Sequence, residues 1–255
     1  MFGLLLVRPA AERGRAVAWD TRRICGVRFF TVTVAAGRRN FLTARRMRRA
    51  ARQMARAGVR AAAFPADFAW GELFEKCGVR AATDEALRCA LAVKSARRAM
   101  ETRGLTPGEC CAALLGERMS AALGRALMEL AVHVRYTLLN AGGGGGEICS
   151  VLRREYGVSV LRGAGEAQLQ RADVIVTFDG ARPCGRPGAL WIPAGAVTAA
   201  EGFENAAANM TCLLPPRAEE QLPEGCGRAA VLSLLLQVGA LRTEELEVAE
   251  IVQNA

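Results

Sequence analysis

Residues 136–161, which decide the fold class, read YTLLNAGGGGGEICSVLRREYGVSVL. The stretch begins with an apolar run that is typical of a strand, and five glycines separate this run from a helical pattern over 147–156. Gly157 ends the predicted helix, and a second strand-like run follows at 158–161. Strand, glycine run, helix and strand in this order predict a β-α-β unit with parallel strands.

The same alternation extends on both sides of this unit. Further strands are predicted at 3–7, 27–35, 59–64, 79–82, 173–178 and 189–193. Further helices are predicted at 43–57 with Thr43 as N-cap, 67–77, 83–102, 166–171, 228–238 and 243–252, and a capping box at 106–109 predicts another that runs past Gly116 to about 134. The sequence therefore predicts an α/β protein with a smaller basic N-terminal α/β lobe over 1–104. A second lobe, over 105–255, contains a parallel sheet and closes with helices.

The glycine run suits a phosphate group. Free backbone N–H groups and the positive end of the helix dipole attract an anion to a helix N-terminus, and side chains there would block its approach. The segment resembles the dinucleotide-binding turn of Rossmann-fold dehydrogenases, G-x-G-x-x-G, with Asn140 in place of the first glycine. The resemblance implies a Rossmann-like parallel sheet in the C-terminal lobe and NAD or NADP as cofactor.

Two polar residues extend this candidate site. The family places an acid near the end of the second strand for the ribose hydroxyls, whereas Arg162 stands here and would suit the 2′-phosphate of NADP. Asp179 follows a later strand and could accept a hydrogen bond from a ribose or substrate hydroxyl. The predicted cofactor-binding residues are Asn140, Gly142, Gly143, Gly144, Gly145, Arg162 and Asp179.

Each of these residues also has a purely structural interpretation. Five glycines can form a flexible β–α turn that binds nothing, and Arg162 can be an ordinary surface residue. Asp179 and Gly180 form an Asp-Gly pair, which is a common turn signal.

Positive charge is concentrated in the first part of the chain. Residues 1–103 hold 22 Lys/Arg against 8 Asp/Glu, and residues 104–255 hold 12 against 17. Seven arginines crowd the predicted helix and its end, opposite a narrow apolar stripe: Arg45, Arg46, Arg48, Arg49, Arg52, Arg56 and Arg60. Such a helix can follow a nucleic-acid backbone, or it can simply present a solvated face. No aromatic residue interleaves with these arginines.

The sequence does not identify catalytic residues. His133, the single histidine, lies in an apolar helical pattern and is interpreted as a buried or half-buried structural residue, and Lys94 as a side chain that reaches water. Cys110 and Cys111 fall in the first turn of a predicted helix, where the dipole would lower a thiol pKa. With one histidine and no CxxC pair, no metal site is expected.

Three function classes remain open. The first is an NAD(P)-dependent oxidoreductase that acts on a small substrate in a cleft between the lobes. The second is a non-catalytic Rossmann-like regulatory or ligand-sensing protein, and the third is a nucleic-acid-associated protein that uses the arginine-rich helix 43–60. Nine scattered cysteines indicate a reducing, cytoplasmic location. No apolar run reaches the roughly 20 residues of a membrane span, so no membrane partner is expected.

Overall fold

The computed structural model describes residues 1–9, 15–37, 39–208 and 210–250. The chain divides into two compact units, one made of Met1–Leu87 and Leu214–Glu245 and the other of Arg88–Leu213 and the segment from Leu246 onward. The sequence-based division lies at residue 104 and assigns the closing helices to the second lobe. Helix α3 (Glu85–Thr102) carries the chain across the structural division with no glycine or proline to mark it.

The first unit is built on a five-stranded mixed sheet of order β2-β3-β1-β4-β5. Strand β2 is antiparallel to β3, and the other neighbouring pairs are parallel. Its strands are β1 (Phe2–Arg8), β2 (Val17–Ile24), β3 (Val27–Ala35), β4 (Ala61–Ala63) and β5 (Arg80–Ala81).

Strand β2 is absent from the sequence-based prediction. Only its two end residues, Val17 and Ile24, are buried, so the strand has no apolar–polar alternation to detect. Cys25 and Gly26 join it to β3 in a two-residue loop with φ of 47° and 80°. Positive φ at both central residues is what a tight hairpin loop requires.

Helices α1 (Asn40–Arg56) and α2 (Gly71–Glu75) complete the first unit together with α7 (Pro216–Glu219) and α8 (Arg228–Gln237). The apolar stripe predicted for α1 is its buried face. Thr43 is not its N-cap, because the helix begins three residues earlier, after Arg39. The Thr43 hydroxyl instead accepts a hydrogen bond from the N–H of Gly37 at 2.9 Å.

The second unit contains a five-stranded, wholly parallel sheet of order β10-β9-β6-β7-β8. Its strands are β6 (Cys111–Gly116), β7 (Tyr136–Ala141), β8 (Val160–Arg162), β9 (Val174–Thr177) and β10 (Leu190–Pro193). Helix α4 (Ala121–Ala131) connects β6 to β7, α5 (Gly146–Tyr156) connects β7 to β8, and α6 (Glu166–Leu169) connects β8 to β9. Counted along the chain, this sheet has the order 3-2-1-4-5 of a Rossmann fold. The predicted α/β class and Rossmann-like sheet are confirmed.

The first strand of this sheet, β6, corrects the predicted helix over 106–134. Residues 111–115 are all buried, as expected for the central strand of a parallel sheet that is covered on both faces. A continuous apolar run has no periodicity that separates such a strand from a buried helix. The helix that follows is α4, whose N-cap Ser120 accepts a hydrogen bond from the N–H of Leu123.

The end of the described chain also differs from the predicted helix over 243–252. A short 3-10 turn at Thr243–Glu245 precedes strand β12 (Glu247–Glu250), which pairs antiparallel with β11 (Met210–Leu213). The last two residues of the predicted helix lie outside the described residues. None of the helices in the described part of the chain is long and apolar enough to cross a membrane.

Candidate functional site

The candidate site lies at the carboxyl edge of the second sheet. Strands β7 and β9 flank β6 on opposite sides, so the direction of the strand order reverses between β6 and β9. Ligands of doubly wound sheets bind outside the carboxyl ends of the strands at such a reversal. Gly116 ends β6, and Asp179 lies two residues after the end of β9.

The turn after β6 is tight at Gly116. A methyl group at Gly116 would lie 2.5 Å from Cδ1 of Leu123 and 3.1 Å from the carbonyl oxygen of Arg118. Because β6 is the first strand of the sheet, this turn takes the place of the dinucleotide-binding turn in Rossmann folds. The glycine run, which resembles that turn in sequence, follows β7, the second strand of the sheet.

Residues 116–121 match the dinucleotide pattern only in part. Gly116 stands at the first glycine position and Ala121 at the last, where alanine also occurs. Arg118 occupies the second position, where a glycine would let the backbone approach the pyrophosphate. Asn140 lies near the end of β7, where the family places its ribose-binding acid. This turn could have been predicted from sequence if the short apolar run 111–116 had been interpreted as a strand.

The glycine run packs against the turn after β6. The N–H of Gly142 donates to the carbonyl oxygen of Glu117 at 3.2 Å, and a methyl group at Gly142 would lie 2.3 Å from that oxygen. Methyl groups at Gly144 and Gly145 would lie 3.2 Å and 3.6 Å from side-chain atoms of Met119. These three glycines therefore have a packing role of their own.

Gly143 is the open member of the run. Its φ is 67°, and a methyl group there would have no atom of the described residues within 4 Å. Gly144 and Gly145 also have positive φ, so the backbone passes through three successive left-handed residues before α5 begins. A ligand could approach the backbone of Gly143 without meeting a side chain.

Arg162 lies against the first turn of α5. A methyl group at Gly146, the first residue of this helix, would lie 2.9 Å from Nη1 of Arg162. The helix has no side-chain cap, and among the described residues Arg162 has no ion pair. A cation at a helix N-terminus opposes the helix dipole, whereas an anion between the two would be stabilised by both. Burial raises the pKa of the nearby Cys149 thiol, and the Arg162 guanidinium opposes this shift.

Asp179 presents a buried acceptor at the strand reversal. Its Oδ2 atom is buried and has no hydrogen-bond partner among the described residues. The residue has a φ of 54°, and a methyl group at Gly116 would lie 3.8 Å from this oxygen. The Glu117 carboxylate is close by, since a methyl group at Gly180 would lie 2.4 Å from its Oε1 atom. Two carboxylates here favour a ligand that donates hydrogen bonds over a phosphate group.

Asn140 faces a separate pocket of about 310 Å³ at the same edge of the sheet. Leu115 and Gly116 line it from β6, and Arg182 and Cys184 line it from the loop after β9. The Asn140 amide donates to the carbonyl oxygen of Ala164 at 3.4 Å. The pocket therefore joins Asn140 to segments next to Asp179, but neither Arg162 nor Gly142–Gly145 lines it.

The residues considered for proton transfer lie elsewhere. His133 precedes β7, at the amino edge of the sheet, and it is exposed, which contradicts the buried interpretation. Lys94 donates through Nζ to the carbonyl oxygen of Leu246 at 2.5 Å. Cys110 and Cys111 are buried at the start of β6, where burial and then the Asp173 carboxylate raise the pKa of both thiols. The expected lowering by a helix dipole is wrong, because no helix starts there.

No cluster of metal-ligating side chains is found among the described residues. The sequence matches no family model. It also matches no curated protein.

Several solved structures are similar to this chain. L-tryptophan dehydrogenase from Nostoc punctiforme is 12% identical with a TM-score of 0.34, over 70% of this chain and 54% of the other. The dipicolinate synthase A chain from Bacillus subtilis is 13% identical with a TM-score of 0.37, over 70% and 64%. Ornithine carbamoyltransferase from Pyrococcus furiosus is 15% identical with a TM-score of 0.33, over 84% and 77%. The chain spans less than two thirds of the length of the dehydrogenase and of the dipicolinate synthase chain.

Proposed function

We propose that the second unit binds an NAD(P)-type dinucleotide along the carboxyl edge of its sheet, and that the protein is an oxidoreductase for a small substrate. The observation that carries this proposal is the buried Oδ2 atom of Asp179 at the strand reversal, for which the described part of the chain provides no hydrogen-bond partner. A buried acceptor without a donor destabilises the fold. A hydroxyl or amide group of a ligand would remove that cost.

The residues present fit the cofactor at two points and depart from the family pattern at two. Gly116 supplies the tight first turn, and Asp179 offers an acceptor without a partner among the described residues. Asn140 stands at the ribose position in place of an acid, and Arg118 places a side chain where the family needs a bare backbone. Gly143, in the adjacent turn, supplies an open backbone surface instead.

The phosphate groups would be held on the side of the site away from the two carboxylates. Arg162 and the uncapped first turn of α5 both favour an anion, and Gly143 leaves the approach open. Asn140 at the ribose position carries no negative charge, and Arg162 at the end of the neighbouring strand β8 can accommodate the 2′-phosphate that distinguishes NADP from NAD. We therefore assign NADP as the preferred cofactor.

A bound dinucleotide would supply the hydride donor or acceptor. The residues of this chain would orient it: Arg162 through a charge-assisted contact to phosphate, and Asp179 by accepting a hydrogen bond at the strand reversal. The Glu117 carboxylate, which is exposed beside Gly180, is a titratable group at this edge that could exchange a proton with a substrate.

The test is a thermal-shift titration with NAD, NADP, their reduced forms, ATP and S-adenosylmethionine. NADP is expected to raise the melting temperature, because a ligand that binds only the native state stabilises it. Asp179→Asn should reduce the rise with both NAD and NADP. Asparagine is the chosen substitute because it tolerates the positive φ of this position. Arg162→Gln should reduce the rise with NADP more than the rise with NAD. Asp20→Asn, an exposed carboxylate of the first unit, is the matched control.

An absence of any rise with the six compounds would refute the dinucleotide site. A rise that Asp179→Asn and Arg162→Gln leave unchanged would place the ligand elsewhere.

The second candidate is a ligand-sensing protein without chemistry. Its specific support is that two side chains suited to proton transfer are not at the candidate site. His133 lies at the amino edge of the sheet, and the Lys94 amine donates a hydrogen bond to the backbone carbonyl of Leu246. Absorbance at 340 nm during incubation with small carbonyl and hydroxy compounds separates the two. Turnover that disappears in Glu117→Gln supports the oxidoreductase, and cofactor binding without turnover supports the sensor.

A further inference from the structure

Helix α1 presents an outward face of arginines, which we call the arginine face: Arg45, Arg48, Arg49, Arg52 and Arg56. These residues lie at helical spacings of three and four, opposite the buried face. The helix contains no acidic residue, and among the described residues no carboxylate pairs with any of the five. Arg46 is excluded because it donates to the carbonyl oxygens of Ala35 and Ala36. The arginine face is therefore a concentration of positive charge that the described fold does not neutralise.

The charge of the whole unit strengthens this face. Of the two structural units, the first holds 20 Lys/Arg against 12 Asp/Glu, and the second holds 14 against 13. The excess positive charge of the protein thus belongs almost wholly to the unit that carries α1. The arginines line a groove of about 850 Å³ beside Ala16 and Val17, at the start of β2.

Two exposed aromatic residues border the arginine face. Trp19 comes from β2, is 45% exposed, and has the Arg49 guanidinium 5.9 Å above its ring. Phe41 lies one turn before Arg45 and is 62% exposed. The sequence separates Trp19 from the arginines by more than twenty residues, so only the pairing of β2 with β3 brings this ring to the helix.

We propose that the arginine face and Trp19 bind single-stranded nucleic acid, with the arginines on successive phosphates and the two aromatic rings on unstacked bases. A basic track with aromatic faces is the arrangement that single strands use, because every base has a face that can stack. Duplex bases are already stacked and cannot use Trp19 or Phe41. The arginine face extends about 16 Å along the helix axis.

The test is fluorescence anisotropy of the full chain with a labelled 12-nucleotide oligothymidine and a labelled RNA of the same length, from 25 to 200 mM salt. A single strand should bind with a log–log salt slope of about −0.7 for each phosphate neutralised. The triple variant Arg45→Gln/Arg49→Gln/Arg52→Gln should lose about two units of that slope. The control Arg153→Gln/Arg154→Gln/Arg171→Gln removes the same charge from exposed positions of the second unit and should keep the wild-type salt slope.

Trp19→Ala should weaken single-strand binding about five-fold or more, whereas Trp19→Phe should retain most of it. Circular dichroism and the melting temperature confirm that each variant is folded. No binding at 25 mM salt would overturn the proposal, and so would equal loss in the two triple variants. Binding that duplex DNA or inorganic polyphosphate displaces equally well, with no effect of Trp19→Ala, would show a polyanion surface without base stacking and would also overturn it.

Discussion

Three buried threonines show how differently the same side chain can contribute. Thr177 accepts a hydrogen bond from Nε1 of the fully buried Trp191 at 3.0 Å. Thr137 and Thr31 are equally buried, and their hydroxyl oxygens have no partner among the described residues. Removing an acceptor from a buried donor is costly, whereas removing an unpaired hydroxyl costs little or stabilises.

Thr177→Val is expected to lower the free energy of unfolding by about 1–3 kcal/mol, because the Trp191 N–H loses its acceptor. Thr137→Val, in the same sheet, is the matched control and should leave stability unchanged or raise it. Urea denaturation followed by tryptophan fluorescence measures both. Equal losses in the two variants would contradict the assignment of the hydrogen bond.

The glycine run contains two glycines with different requirements. Gly142→Ala places a methyl group against the carbonyl oxygen of Glu117, and we expect a cost of about 3 kcal/mol from overpacking. Gly143→Ala meets no atom and should cost only the roughly 1 kcal/mol of a left-handed alanine. Thermal denaturation measures both. Equal destabilisation by Gly142→Ala and Gly143→Ala would contradict this packing. In a nucleotide titration, Gly143→Ala should weaken binding more than its small loss of stability explains.

At the scale of elements, prediction from sequence depended on periodicity. The helices α1 and α5 and the strands β1, β3 and β7 are predictable because each has an apolar pattern bounded by polar or glycine residues. Strand β6 resembles a helix in sequence because five consecutive buried residues carry no period, and β2 gives no signal because it is buried only at its ends. Because the pattern of β6 is taken for a helix, the sequence does not indicate that Gly116 follows the first strand of the second sheet.

The candidate site was predictable only in its local parts. The position of Asp179 after a strand could be seen in the sequence, but its unpartnered oxygen depends on the neighbouring β6 turn, more than sixty residues away. The contact of Arg162 with the first turn of α5 likewise depends on the register of β7 and β8. Trp19 reaches the arginine face only through a hairpin that the sequence pattern does not indicate.

An ion pair joins α7 to α8 and gives a prediction for pH dependence. A hydrogen bond from Arg228 holds the pKa of Glu219 below its ordinary value of 4.5. The stabilisation it provides is therefore present above about pH 4.5 and is lost as the pH falls through the lowered pKa. The melting temperature of the wild type should exceed that of Glu219→Gln by a small margin at pH 6, because both side chains are exposed to solvent.

That margin should shrink steadily below pH 4.5, as differential scanning fluorimetry would show. Glu224→Gln, an exposed glutamate without an ion pair among the described residues, should show no such trend. A margin that grows on acidification would contradict the direction of the pKa shift.

At the scale of the whole molecule, the first unit is assembled from two distant parts of the chain. Gly227 precedes α8, and a methyl group there would lie 1.9 Å from the carbonyl oxygen of Phe64, after β4. Gly227→Val should therefore disturb the first unit although the two residues are far apart in sequence. Amide hydrogen exchange should increase in β1, β3 and β4 and stay unchanged in β6, β7 and β9.

Gly71→Ala provides the control for this experiment, since a methyl group at Gly71 meets no atom within 4 Å. Its exchange pattern should match that of the wild type. Increased exchange in both units of Gly227→Val would instead indicate that they unfold together.

The divided first unit also has a consequence for biosynthesis. When Leu87 leaves the ribosome, the segment that will cover β4 does not yet exist, and residues 88–227 must be translated first. At about 5–20 residues per second this takes roughly 7–30 seconds. During that interval the nascent chain exposes apolar surface of β4 that α8 will later bury, while the strands of the second sheet are all synthesised before α8 appears. We therefore expect the N-terminal part of the nascent chain to be the part most prone to aggregation until α8 has been synthesised.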